Sequence, residues 1–443
     1  MLDRALRFAL VRRIHEAFYG WDVAHLRHHQ QGRLDEMLAY VARHSPYYRA
    51  VREQGWDGSF ERLPQLSKSE MLAHFDEINT VGLRQAELFE FAVQQERGEQ
   101  AGLYRGRYSV GLSSGTSGSR LPTVLTPSER RKYGSLLFAR SGIPESVRRP
   151  RVLFSLRVNN PAFMEARFLG VTIVYTDYTH PIEALVRLVN KERLNVLAGP
   201  PSLLRLIARQ RHDIDHPVEA LISYAEVLDD LSRQQLEQDF SAPLAQIYQG
   251  AEGFIASTCR AGNLHLNEDV VYVEALETAD SLNNAKRLVV TDLYRRALPF
   301  LRYQINDIVE IDTGPCACGS VFRLVRRIHG RADDIFHLRS DSRDAATVGE
   351  LRYLFPDYVT RAINQASEAI LEFQAIQHSP DEMEIRLQLK PGADRPQIET
   401  AIRANLAYWA QKVGGRLGEL LFSETPPERN PNSLKLIRVV RRF

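Results

Sequence analysis

Short apolar runs alternate with amphipathic stretches between residues 151 and 248, and no other feature narrows the fold as far. Arg151-Val152-Leu153-Phe154-Ser155-Leu156 and Val171-Thr172-Ile173-Val174-Tyr175 read as buried strands. Pro181 to Glu192 carries Ile182, Leu185, Val186 and Val189 at helical spacing. Asn195 to Gly199 reads as a strand turning at Pro200-Pro201, and Ser202 to Arg211 as a helix. Leu221–Tyr224 and Ala245–Tyr248 flank another helix. Strand–helix–strand order of this kind calls for α/β layers around a largely parallel sheet, expected across residues 105–330.

The flanks read differently. Residues 1–100 are mostly helical: Leu34, Met37, Leu38 and Val41 share one face, Ser45-Pro46 ends that helix, and Ser67-Lys68-Ser69-Glu70 starts a short one. Beyond residue 335, Leu371, Phe373 and Ala375 alternate as on a half-exposed strand, with a second strand at Met383–Leu389. Pro391-Gly392 breaks the chain, Ile398 to Val413 is an amphipathic helix, and Leu420-Leu421-Phe422 is a strand. The expected architecture is a large α/β N-terminal domain over residues 1–331 and a small α+β C-terminal domain over residues 332–443.

A chain of 443 residues is long enough for more than one core. A net charge of +2 gives no reason to expect nucleic acid or an anionic membrane. Arg4, Arg7, Arg12 and Arg13 among apolar residues suit a helix packed on the main domain, with a basic amphipathic helix touching a membrane or partner as the alternative, rather than a signal peptide. No apolar run is long enough to span a bilayer, so a cytoplasmic location is expected.

Chemistry concentrates in a few places. Of the eight residues Ser113-Ser114-Gly115-Thr116-Ser117-Gly118-Ser119-Arg120, seven are Ser, Thr or Gly. Small residues let backbone N–H groups approach an anion and hydroxyls add donors, so the octet suits a phosphate-gripping loop. A plain flexible turn has the same composition. The Gly spacing does not fit the P-loop pattern and no Lys follows. Cys259, His265, Cys316 and Cys318 together offer three thiolates and an imidazole, a structural zinc set. Three reduced thiols without a metal are the alternative.

The octet is followed in order by Tyr248-Gln249-Gly250-Ala251-Glu252-Gly253, Leu301-Arg302-Tyr303-Gln304-Ile305-Asn306-Asp307 and Gly330-Arg331-Ala332-Asp333-Asp334. This series resembles the adenylate-forming superfamily of acyl-CoA synthetases, adenylation domains and luciferases, in the branch of phenylacetate–CoA ligases and coenzyme-adenylating synthetases. The resemblance implies ATP-dependent activation of a carboxylic acid, aryl substrates included, to acyl-AMP. It also implies transfer to CoA, with a carrier-protein thiol or an amine as other acceptors, and a mobile C-terminal domain hinged near Asp333. An inactive nucleotide-binding scaffold is the rival reading, and the oligomeric state, a dimer included, is open.

By the same resemblance, Ser113, Ser114, Gly115, Thr116, Ser117 and Gly118 face the leaving pyrophosphate. Ser119-Arg120 stand where the family often carries Lys, so Arg120 is the candidate cation there. Ala225 and Glu226 end the strand along the adenine, Tyr248, Gln249 and Gly250 pack near it, and Glu252 binds Mg²⁺. Asp307 accepts both ribose hydroxyls, a task that suits two acceptor oxygens. Arg331 lies near ribose and phosphate. Lys435, lacking the usual preceding Gly, bridges carboxylate and α-phosphate, unless it is a solvated surface lysine. Related Cys…His…Cys-x-Cys patterns also occur in this branch.

Overall fold

A computed structural model of the chain describes residues 2–113, 120–156, 167–168, 171–177, 180–277, 285–341, 350–429 and 436–443. The first hundred residues are helical for local reasons. Asp22 caps the helix Val23–His44, its Oδ1 accepting from His25 N at 2.7 Å, and Leu34, Met37, Leu38 and Val41 are buried on one face. Ser45 closes that helix and caps the next, Pro46–Glu53. Ser67 and Glu70 form a reciprocal capping box at Lys68–Ala73. The helix Leu2–Gly20 buries Ile14, Ala17 and Phe18. No helix among the described residues is long and apolar enough to cross a membrane.

The largest sheet among the described residues has twelve strands. Their order is Val271–Glu277, Ala285–Asp292, Tyr303–Asp312, Leu324–Arg331, Leu264–Leu266, Gly253–Thr258, Leu244–Gly250, Ala220–Ser223, Val196–Gly199, Arg151–Leu156, Val171–Asp177 and Arg167–Phe168. The expected strand–helix alternation holds as far as Gly250, with helices at Ile182–Lys191, Pro201–Arg209 and Asp230–Phe240. The largely parallel sheet is corrected: four ladders are parallel, all between Leu244–Gly250 and Val171–Asp177. After Gly250 six strands follow with no helix between them among the described residues. Gly253–Thr258 is buried almost throughout, so its sequence lacks the alternation that marks a strand.

The two halves of this sheet meet at a narrow joint. Leu264–Leu266 pairs with Leu324–Arg331 through one ladder position, His265 opposite Leu324. Four strand spacings separate Leu244–Gly250 from Tyr303–Asp312 in the order, ~19 Å across a flat sheet. Yet the Tyr248 hydroxyl donates to Asp307 Oδ2 at 2.6 Å. The sheet therefore curls back on itself, beyond the ordinary twist of strands.

A second core takes in Ile335, Phe336, Phe355, Phe373, Ile385, Ile402 and Leu420, with Ala285 and Ile308 of the large sheet buried against them. Here Ile370–Ser379 and Glu382–Leu389 pair antiparallel as expected, flanked in parallel by Val439–Arg441 and Glu419–Ser423. Helices Pro356–Asn364 and Arg395–Lys412 cover them. The two cores touch closely at Gly330 (φ +109°), where a Cβ would fall 2.9 Å from Pro356 Cβ.

His329, one residue earlier, is buried between carboxylates of both cores. Its Nε2 lies 2.8 Å from Glu310 Oε1 and its Nδ1 2.9 Å from Asp357 Oδ1, with Arg327 Nη1 3.8 Å from the other Asp357 oxygen. Burial disfavours charge on the ring, but the bonds to Asp357 and Glu310 outweigh it and raise its pKa to about 9. A raised folded-state pKa adds stability that is complete below the unfolded value of 6.5 and is lost as pH rises through about 9. His329→Gln should therefore lower the thermal midpoint most at mildly acidic pH, the gap closing under alkaline conditions. Denaturation followed across that range checks this; a constant gap would mean an uncharged ring.

Candidate active site and metal cluster

The hairpin between Leu244–Gly250 and Gly253–Thr258 carries a tight turn. A Cβ at Gly250 would lie 2.3 Å from Glu252 Oε1, so the bare glycine leaves room for the Glu252 carboxylate to lie over the turn. The turn aims Glu252 inward. Burial first, then the neighbouring Asp307, raises the pKa of its carboxyl. Asp307 stands on Tyr303–Asp312 directly opposite Arg331 on Leu324–Arg331. Tyr248, hydrogen-bonded to Asp307, has its own ionisation pushed far up by burial and by that carboxylate. Arg331 offsets part of the upward shift at both groups, and its Nε is buried with no partner among the described residues. Asp334 is raised to about 6, chiefly by burial. Tyr248, Glu252, Asp307 and Arg331 are thus brought together. Gln249 points elsewhere, its Oε1 accepting from the Tyr133 hydroxyl at 2.7 Å.

The octet sits between strands Ser109–Leu112 and Pro122–Leu125. Its neck is closed by Ser113 N to Leu121 O and Leu121 N to Ser113 Oγ, both 2.8 Å. Ser114, Gly115, Thr116, Ser117 and Gly118 lie outside the described residues, as does Lys435. Arg120 is engaged locally. Its guanidinium pairs in a fork with Glu96, Nη1 at 2.7 Å from Oε2, and its Nε reaches Ser113 O at 3.3 Å.

Lys68 is a cation that sequence reasoning passed over. Leu66 lies beside Tyr303 as a short parallel bridge, with Leu66 N to Arg302 O at 3.0 Å and Gln304 N to Leu66 O at 2.8 Å. That stitch delivers the start of helix Lys68–Ala73 to the strand that bears Asp307. Burial first and then Arg331 lower the Lys68 pKa, while Glu252 and Asp333 oppose, so its amine lies within electrostatic reach of these groups. The chain has only seven lysines, and this one sits in a capping box; that rarity was the available signal.

At the end of Ala220–Ser223, Ala225 adopts φ +67°, a conformation a side chain resists. The next residue, Glu226, accepts from Ser202 N at 3.2 Å and Ser202 Oγ at 2.9 Å, and lies 3.3 Å from Arg438. Its carboxylate therefore faces the second core.

Cys259, His265, Cys316 and Cys318 converge, their ligand atoms all within 4.8 Å of one another. They sit at the joint of the sheet, His265 being the ladder residue itself. His265 Nδ1 bonds to Phe322 O at 2.7 Å, which leaves Nε2 to face Cys318 Sγ at 3.5 Å. An orienting carbonyl of this kind is the usual support of a ligating histidine. Backbone N–H groups of Ala261 and Ser320 and the Asn263 amide point at the sulfurs, each 3.3 or 3.4 Å away. Burial opposes ionisation of Cys316, but the Cys318 backbone N–H, His265 and the Asn263 amide bring it to about 6. Burial and the adjacent thiols push Cys318 up to about 12. Three thiols this close share negative charge poorly unless a cation sits among them, and the donor set fits tetrahedral zinc. Phe18 packs edge-on to His265 and Phe322, 5.6 and 5.1 Å between centroids, so the cluster also holds the N-terminal helix.

No family model matches the chain. It is similar to protein CapK of Staphylococcus aureus, 22% identical over 86% of this chain and 82% of the relative. It is also similar to phenylacetate-coenzyme A ligase of Thermus thermophilus, 25% identical over 82% and 81%. Among solved structures, 2-hydroxyisobutyryl-CoA ligase in the postadenylation state, in complex with R3-HIB-AMP, aligns with a TM-score of 0.71 at 17% identity, covering 96% of this chain and 91% of that one. The same ligase in its thioesterification state, in complex with 2-HIB-AMP and CoA, aligns at 0.58 and 18%, with the same coverage. The fold is thus that of the adenylate-forming enzymes.

Proposed function

We infer that this chain, an adenylate-forming ligase of the acid–thiol type, activates a carboxylic acid with ATP and passes the acyl group to a thiol such as that of CoA. The observation that carries the reading is the convergence of Tyr248, Glu252, Asp307 and Arg331 from sequence-distant motifs onto one cleft. That cleft lies beyond the C-terminal ends of Ala220–Ser223 and Leu244–Gly250, where open α/β sheets bind ligands.

In this reading Asp307 accepts the ribose hydroxyls and Tyr248 fixes its rotamer. Glu252 holds Mg²⁺: a carboxyl desolvated beside a second carboxylate is relieved by a hard cation, and oxygen donors suit that ion. Bound there, Mg²⁺ would neutralise phosphate charge. Arg331 and Lys68 supply further positive charge, with the Ser113 hydroxyl and the N–H and hydroxyl donors of Ser114–Gly118. Arg120 braces the loop through Glu96 instead of meeting phosphate. A carboxylate oxygen of the acid attacks the α-phosphorus and pyrophosphate leaves; the acceptor thiol then attacks the acyl carbon and AMP leaves. The work is positioning and charge stabilisation. Lys435 bridges carboxylate and α-phosphate in the first step, carried on a mobile domain that we bound at residues 331/332. Aryl acids are the expected substrates, and carrier-protein thiols or amines the other acceptors. Zinc on Cys259, His265, Cys316 and Cys318 is structural, in a chain we place in the cytoplasm, where thiols stay reduced.

ATP–pyrophosphate exchange with a panel of aryl and aliphatic acids tests the reading. Exchange with none of them, despite measurable ATP binding, would make the chain a nucleotide-binding scaffold. Glu252→Gln should cut exchange by about 100-fold, with extra Mg²⁺ restoring part of it. Lys68→Ala should raise the KM for ATP and lower exchange about 10-fold or more, Lys68→Arg recovering part; unchanged ATP kinetics would remove Lys68 from the phosphate site. Elemental analysis of protein purified without chelator should find one zinc per chain, and its removal should lower thermal stability and expose the Phe18 helix to protease. Metal content near zero, with stability indifferent to chelator, rejects the site.

A further inference from the structure

Arg438 joins the two cores beside the proposed nucleotide cleft. It precedes the short strand Val439–Arg441, and its guanidinium is buried. Nη1 lies 3.3 Å from Glu226 Oε2, while Nη2 lies 3.0 and 3.2 Å from the two oxygens of Glu372. Glu372 belongs to the C-terminal sheet, on Ile370–Ser379. Glu226 belongs to the N-terminal core, next to the strained Ala225, and is held by Ser202 at the start of helix Pro201–Arg209. Burial disfavours the charge on Arg438, but Glu372 and Glu226 outweigh it and the group stays a cation. Alongside, Arg209 Nη2 donates to Leu371 O at 3.0 Å.

We propose that Arg438 is a positioning residue, a latch that holds the C-terminal region in the arrangement used for acyl-AMP formation and must let go for thiol transfer. The proposal rests on the ligase reading above. Three observations carry it. The bridge crosses from one core to the other at the residue that follows Ala225 in the cleft loop. The arrangement that contains it aligns better with a postadenylation state than with a thioesterification state, 0.71 against 0.58. And a buried ion pair adds little net stability, because desolvation offsets attraction, yet it is intolerant of losing one partner. Removing Arg438 takes from the half-buried Glu226 and Glu372 the cation that spans them, Glu226 keeping its bonds to Ser202 and Arg205 staying nearby, and the loss is felt only while the two cores are together in this arrangement. Once they part, water solvates both carboxylates. The loss therefore falls on the adenylating arrangement and spares the other.

The test measures the two half-reactions separately in Arg438→Met and Arg438→Lys. Arg438→Met should slow ATP–pyrophosphate exchange by about 10- to 100-fold, with thioester formation from supplied acyl-AMP within about 2-fold of wild type. Arg438→Lys keeps the charge but loses the fork, and should fall between. A merely structural role would slow both half-reactions together, and that result, or no change in either, overturns the latch. If the wild type exchanges with no acid, the ligase reading fails and the latch is judged by small-angle scattering alone. A larger radius of gyration for Arg438→Met in folded protein supports it, and an unchanged one overturns it.

Discussion

The ladder pair His265–Leu324 is the narrowest point of the large sheet, and the site depends on how the chain turns there. On one side lie the strands that end in the Glu252 turn. On the other lies the strand that bears Asp307. Only a sheet bent at this joint brings the Tyr248 hydroxyl to Asp307 Oδ2 across four strand spacings. One ladder position is a weak restraint on such a bend. The Cys259, His265, Cys316 and Cys318 cluster surrounds it, with ligands contributed by both hairpins. Arg323 adds a second tie, its Nε 2.9 Å from Glu268 Oε1. A four-ligand metal would fix both the distance and the angle between hairpins, which hydrogen bonds to a single residue do not. Cluster and cleft are then one mechanical unit.

The cleft itself is held out of electrostatic balance. Glu252 is raised by burial and by Asp307, Asp334 is raised to about 6, and Arg331 keeps a buried Nε without a partner among the described residues. Ala225 holds a left-handed backbone at the rim. Each feature costs folding free energy, and strain and perturbed acidity gather where ligands bind. A ligand that brings hydroxyl donors, phosphate oxygens and a divalent cation would answer all of these groups at once.

The sequence made some of this legible and hid the rest for physical reasons. Amphipathic helices such as Val23–His44 and the run Ile182–Lys191 announce themselves, because one face is buried and the period is plain. The parallel strands were readable from their alternation with helices. The antiparallel half was not, since Gly253–Thr258 is buried almost throughout and its composition carries no period. Motif order pointed to Tyr248, Glu252, Asp307 and Arg331, which the fold gathers. It also pointed to Arg120, whose guanidinium meets Glu96; nothing local in the sequence announces a partner that far upstream. Lys68 reached the cleft through the bridge of Leu66 to Tyr303, a contact that no local pattern encodes.

The contrast between the cores and their junction bears on motion. Each core is closed by apolar packing, with Phe254, Phe300, Phe336 and Phe373 essentially inaccessible. The junction combines apolar contact, Ala285 and Ile308 being buried in the second core and Gly330 lying against Pro356, with ion pairs: His329 with Glu310 and Asp357, Arg438 with Glu226 and Glu372, Arg361 with Asp230 at 3.2 Å. Parting an apolar face exposes surface at a cost that grows with area and returns nothing. Parting a salt bridge exposes charges that water solvates, so the desolvation spent in forming it is recovered. Ionic contacts also accept few geometries, whereas apolar faces tolerate sliding. Where the junction is made by charge, it is therefore specific when closed and less costly to part, which is what the two-step reading proposed above asks of it.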